Sequence, residues 1–166
     1  MNTPDLIAFL IDVHRDKLTM RERHVAVARV VSSYEFNNTY QYVIAREDMH
    51  LSWLESAIAE LGGTPATVPA SAVPPLGKKE SVVPLVTEDA KAAQAFVDGW
   101  RPNIAGLPQA RHRTLLQLVL GETLEHKRFF DQIAAGNQDL LGRRSNGPGS
   151  PGTGGGVMSV RWVGDL

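Results

Sequence analysis

Apolar positions recur at steps of three and four along most of this chain, and four stretches carry the pattern far enough to predict helices. The first opens at Thr3-Pro4-Asp5, with a hydroxyl to cap, a proline for the first turn and an acid at the positive end of the helix dipole. It continues through Leu6, Ile7, Leu10, Ile11, Val13 and Leu18 towards Val25, Ala28 and Val31. Capping-box spacings at Thr19 to Glu22 and Ser32 to Glu35 offer restarts, so residues 4–33 read as one helix or two. The second helix runs from about Phe36 to Leu61, where Gly62-Gly63 supplies a left-handed stop. Residues 62–86 have no helical pattern and hold Pro65, Pro69, Pro74, Pro75 and Pro84, which predicts a long extended crossing. Thr87-Glu88-Asp89 caps a third helix that ends by Arg101, because Pro102 disfavours helix in the residue before it. Pro108 opens a fourth, which runs to about Ala135 and stops at Gly136-Asn137. Beyond residue 141, residues 142–156 read as a flexible Gly/Pro-rich linker and 157–166, "VMSVRWVGDL", as a short β-prone terminal peptide.

Two of these stripes contain residues that a core does not ordinarily hold. The second helix presents Tyr40, Val43, Glu47, His50, Leu54, Ala57 and Leu61. The fourth presents His112, Leu115, Val119, Glu122, His126, Phe129 and Ile133. An ionised carboxylate facing a core costs several kcal/mol unless a partner compensates it. Glu47 with His50 at i, i+3 and Glu122 with His126 at i, i+4 each share a helix face. Oxygen and imidazole donors together suit iron or manganese, and a bridging carboxylate holds two ions; the same donors also satisfy zinc, so ligand type alone does not name the metal.

Composition narrows the chemistry further. The 166 residues suffice for one domain with a sizeable core, and 17 basic against 18 acidic side chains leave a net charge of -1, with no pull towards nucleic acid or a membrane surface. Without cysteine, disulfides, thiol catalysis and thiolate-held clusters are excluded, so any metal must be held by His, Asp and Glu. The N-terminal apolar run carries Asp5 and Asp12 and lacks a basic leader, and no run reaches the roughly 18 apolar residues of a membrane span. The expected compartment is the cytoplasm.

"EDMHLSWLESAIAELGG" resembles the second helix, and "GETLEHKRFFDQIAAG" the fourth helix, of the ferritin-like superfamily, which includes rubrerythrins and bacterioferritins. The resemblance covers roughly residues 4–140 and implies an all-α, antiparallel ferritin-like four-helix bundle with one long crossover (62–86), a domain over 1–141 and a flexible C-terminal tail. In that family one Glu from each of two helices joins Glu-x-x-His from each of the others. Glu47-x-x-His50 matches; in the second motif Thr123 stands three before His126, with Glu122 four before. Counting levels from the turn at 101–108 sets Glu122 opposite Glu88 or Asp89. A turn at 34–36 sets Glu22 opposite Glu47, on a stripe with Ile11, Leu18 and Val25, while His14 is the rival at the family's spacing. The resemblance thus implies a di-metal centre held by Glu47, His50, Glu122, His126, Glu22 and Glu88. That centre would carry two irons per chain, or manganese, and react with dioxygen or peroxide as a ferroxidase or oxidoreductase.

The alternative from the same residues is a metal-free helical interaction module, in which Glu47 and Glu122 pair with inward arginines such as Arg21 or Arg46, or with the histidines themselves. His24 then reads as a surface or interface residue, His112 as a rim residue, and Tyr34, Tyr40 and Tyr42 as aromatic packing or a redox tyrosine. Apolar residues on more than one face of the first helix, Leu6, Leu10, Val27 and Val31, predict a homodimer or larger homo-oligomer. The terminal peptide either docks on its own domain or acts as a tethered peptide on a partner or shell protein, a layout similar to the cargo-loading tails of ferritin-like proteins in encapsulin shells.

Overall fold

The computed structural model describes residues 2–77, 80–138 and 140–141; the expected linker 142–156 and terminal peptide 157–166 lie outside them. Four helices, α1 (Thr3–Val30), α2 (Tyr34–Glu60), α3 (Val83–Ala105) and α4 (Ala110–Ala134), form a four-helix bundle, and no strand occurs among the described residues.

The first stretch forms one unbroken helix that ends at Val30, and the turn falls at 31–33, where the Ser33 side chain accepts the Phe36 N–H at 3.4 Å and caps α2. The cap of α1 is Asn2, whose Oδ1 accepts the Asp5 N–H at 2.9 Å, while Thr3 is already helical. The third helix starts earlier and ends later than its sequence signals. Val83-Pro84 form its first turn because Val86 is drawn fully into the core, and it passes through Pro102 to Ala105 because Ile104 and, just beyond it, Leu107 are buried. A proline so near a C-terminus removes only one of the last ladder bonds. Gly62 and Gly136 both adopt positive φ, +84° and +81°, as stops for α2 and α4.

Contacts between helices fix their directions. Along α1, His14 meets Glu55 and Arg21 meets Asp48; Phe9 stacks edge-on against Trp100 while Arg23 meets Asp89. Along α2, Tyr42 packs on Phe129 and Glu60 pairs with Arg111. Both α2 and α3 therefore run antiparallel to α1 and to α4, and parallel to each other. The 27 residues of α2 span about 40 Å, so the chain must travel that length before α3 begins. Segment 61–82 reaches roughly 70 Å when extended, enough for the return.

Gly63 is where this crossover leaves the bundle. A Cβ there would lie 2.7 Å from Ile7 Cγ2 and 2.9 Å from Ile58 Cγ2, both too close. Gly63→Ala is expected to lower stability by about 1–3 kcal/mol through this overpacking, read as a lower urea midpoint; an unchanged midpoint would mean that α1 does not pack against the α2 exit.

The core is divided into layers. One apolar layer gathers Leu10, Val13, Leu54, Phe96, Leu116 and Leu120, and the other gathers Val27, Tyr40, Val43, Val86, Phe130 and Ile133. Between them, at the middle of each helix, lies a layer of polar side chains.

Candidate functional site

Each helix delivers its middle turn to the polar layer. On α1 the buried stripe is Leu6, Leu10, Val13, Lys17, His24, Val27 and Val31, so the inward side chains are Lys17 and His24. On α2 they are Glu47 and His50; on α4, Thr123 and His126; α3 contributes Ala93, a methyl group. Lys17, Glu47, His50, Thr123, His24 and His126 are all essentially inaccessible to solvent.

Lys17 holds the centre of this layer. Its Nζ donates to Glu47 Oε1 at 2.9 Å and to Thr123 Oγ1 at 3.1 Å, and lies 5.5 Å from the Phe96 ring centre. The Thr123 hydroxyl in turn donates to the Val119 carbonyl at 2.7 Å. The other Glu47 oxygen accepts from His24 Nδ1 at 2.8 Å. Burial alone would raise the Glu47 pKa, but the charges of His24 and Lys17 and the His24 hydrogen bond hold it well below the usual carboxylate range. Glu47 is thus an anion kept in the core by the Lys17 ammonium and the His24 hydrogen bond.

A second carboxylate sits at the edge of the layer. Glu122 takes a two-pronged contact from Arg46, Nη2 to Oε1 at 2.5 Å and Nε to Oε2 at 3.0 Å, and accepts from His50 Nε2 at 2.8 Å. Burial opposes its charge, yet the His50 and Arg46 hydrogen bonds bring its pKa down to about 2. Burial pushes the His50 and His126 pKa values down, with Lys17 adding repulsion in both. The two imidazoles stack 5.9 Å apart at an interplanar angle of 17°. The Nδ1 atoms of both are buried and have no hydrogen-bond partner. One layer away, Asp89 accepts from Tyr40 Oη and Arg23 Nε, each at 2.5 Å, and Tyr40 packs on Phe130.

The six expected ligands do not converge. Glu47, His50 and His126 share the central layer. Glu122 lies outside the innermost stripe, bound to Arg46. Glu22, read as facing Glu47, pairs instead with Arg21 at 2.8 Å, because the buried stripe of α1 is displaced by one residue from Ile11, Leu18 and Val25. Glu88 is 64% exposed and pairs with Arg23, and its neighbour Asp89 turns inward only as far as Tyr40. The rival His14 is buried but faces Glu55 at 3.3 Å. Among the described residues, no group of three or more His, Asp or Glu side chains is disposed to hold a metal ion. The arrangement therefore does not fit a two-ion carboxylate centre: it offers one central carboxylate, and an ammonium group hydrogen-bonded to it.

Sequence reasoning missed Lys17 and misplaced His24, which is a core residue rather than a surface one. The signal was available in the spacing Leu10, Val13, Lys17, His24, Val27. It was overlooked because a lysine on an apolar stripe is ordinarily solvated.

No family model, curated protein or solved structure matches the chain. No helix among the described residues is long and apolar enough to cross a membrane.

Proposed function

We propose that this chain is a metal-independent bundle of ferritin-like layout, acting through its outer surface as an interaction module rather than through a di-iron reaction. The observation that carries this reading is the buried ammonium of Lys17 on Glu47 and Thr123, in the layer where the resemblance would place metal ions. Each carboxylate of the expected set already has a basic partner: Lys17 and His24 on Glu47, Arg46 and His50 on Glu122, Arg21 on Glu22, and Arg23 on Glu88. An internal cation that cannot dissociate keeps the core neutral without any metal supply.

The surface offers a candidate for the interaction. The residues first read as an oligomer face, Leu6, Leu10, Val27 and Val31, are all buried within the single bundle. Outward apolar area is found instead on α2 and α4, where Met49 is 45% and Leu118 is 47% exposed. They lie on the same two helices as Trp53 and Leu115, which line a groove of about 290 Å³ with Leu118. A homodimer remains the proposed assembly, with this face in place of α1.

Elemental analysis after anaerobic Fe(II) loading and desalting tests the metal-free reading. The unaltered protein is expected to hold no more iron than its Glu47→Ala variant. About two irons per chain, lost in that variant, would overturn it in favour of the di-iron centre.

A further inference from the structure

We propose that the terminal peptide 157–166 of this chain docks in the groove between α1 and α3, with residues 142–156 as the tether that brings it there.

The groove suits apolar side chains. It has a volume of about 480 Å³ and is lined by Phe96, Met20 and Trp100. Sites that hold a ligand commonly measure about 300–1,000 Å³. Trp100 is fixed in place: it stands edge-on to Phe9 with ring centres 5.3 Å apart, and its Nε1 donates to Asp16 at 3.0 Å. Beside it Gly99 faces open space, since a Cβ there would meet no atom within 4 Å.

The peptide matches this groove in pattern, length and charge. Alternate side chains of an extended chain share a face, so Met158, Val160 and Trp162 form one apolar row. That row is about 13 Å long at the rise of a strand. The groove follows α3 from Ala92 to Asn103, about 16 Å at the rise of a helix. Arg161 is the charged residue of segment 157–163, and the exposed carboxylate of Asp16 lies at the rim to receive it. Other grooves oppose it. The one of about 540 Å³ between α1 and α2 presents Arg21 and Arg29, with Asp48 already bound by Arg21, and the one beside Trp53 presents Arg111.

The tether has the right length. Leu140 packs on the apolar layer that contains Val86, ten residues before Phe96 on α3. The two levels are therefore about 15 Å apart along the bundle, and one helix-to-helix step adds about 10 Å across it. A Gly-rich chain as long as 142–156 has a root-mean-square end-to-end length of about 19–23 Å, close to the resulting span. A tethered peptide has its highest effective concentration when those two lengths agree. The bundle thus keeps its own peptide in reach, and a partner that reads the peptide must first draw it out of the groove.

Because the chain has no cysteine, an introduced pair reports this contact without interference. Full-length Ala95→Cys/Val160→Cys is oxidised with glutathione disulfide at low protein concentration, beside Leu118→Cys/Val160→Cys as reference. Ala95 and Leu118 are both exposed, so neither change disturbs the core. Disulfide formation within one chain is followed by mass, with each rate normalised to the thiol reactivity of the single-cysteine variants. The Ala95 pair is expected to close at least about tenfold faster than the reference. Adding Gly99→Leu, for which the helix has room and which fills the groove, or Trp162→Ala, is expected to bring the rate down to the reference. A rate no faster than the reference, a rate that either added substitution leaves unchanged, or disulfides formed only between chains would overturn the proposal.

Discussion

Replacing Lys17 by methionine is expected to lower the unfolding free energy by about 3–5 kcal/mol at neutral pH, the cost of leaving a buried charge without its partner. The stem of the side chain is retained in volume, so the loss is electrostatic rather than a cavity. Glu47, inaccessible to solvent, would keep only His24 as a partner, and Thr123 would lose its donor from Lys17. Adding Glu47→Leu is expected to recover most of the loss, since a buried ion pair exchanged for apolar side chains of similar size is often neutral or stabilising. It should not recover all of it, because His24 Nδ1 then lacks its acceptor. Urea unfolding of the two variants checks both statements. A Lys17→Met cost below about 1 kcal/mol, the range of exposed pairs, would mean that the ammonium reaches water.

Acid should unfold the protein in two stages, and the sign follows from the directions of the shifts. His50 and His126 have depressed pKa values in the folded chain, so between the folded value and the ordinary 6.5 the unfolded chain binds more protons. Stability is therefore full above about pH 6.5 and falls as pH drops below it, by up to about 1.4 kcal/mol per pH unit for each histidine. Glu47 and Glu122 are also depressed, so their contribution is present above the ordinary 4.5 and is lost as pH falls from there towards the folded values. The slope of unfolding free energy against pH should steepen below about 4.5. In His126→Leu the upper stage should shrink while the lower one stays. Urea titrations from about pH 8 down to about pH 2 read these slopes. A flat profile between pH 7 and 5 would show that the histidines are not held neutral in the core.

How much of this was legible depended on the kind of residue at each position. The stripe of α2 was read correctly from Tyr40 to Ala57, because its apolar neighbours left one consistent face and both polar members lay on it. The four-helix order and the crossover followed from caps, prolines and Gly62 in the same way. On α4 two adjacent stripes compete, one through Leu115, Glu122 and Phe129 and the other through Leu116, Thr123 and Phe130. The structure buries the second, and periodicity alone weighs them equally. On α1 the competing stripes differ by one residue, and each carries a charged side chain, Glu22 on the stripe with Ile11, Leu18 and Val25 and Lys17 on the one the structure buries. The centre of the molecule was hidden because a lysine becomes a reasonable core residue only once Glu47 is known to face it. The pairing of Arg46 with Glu122 was open to sequence reasoning, since both lay near the middle of facing helices.

The crossover carries a consequence for how the molecule is held together. The α1–α2 hairpin contains the Lys17–Glu47 pair complete, and α3–α4 forms its own tight antiparallel unit. Only the long passage from Gly62 to Val82 joins them covalently. A cut in that passage, at the stretch around Pro69 and Pro74, would sever no hydrogen bond of the polar layer. The two halves would stay associated through the apolar layers, Arg46 on Glu122 and Lys17 on Thr123. The chain is in that sense divisible: two separately made halves should find each other and rebuild the buried charge cluster, which makes this bundle a natural frame for a split reporter.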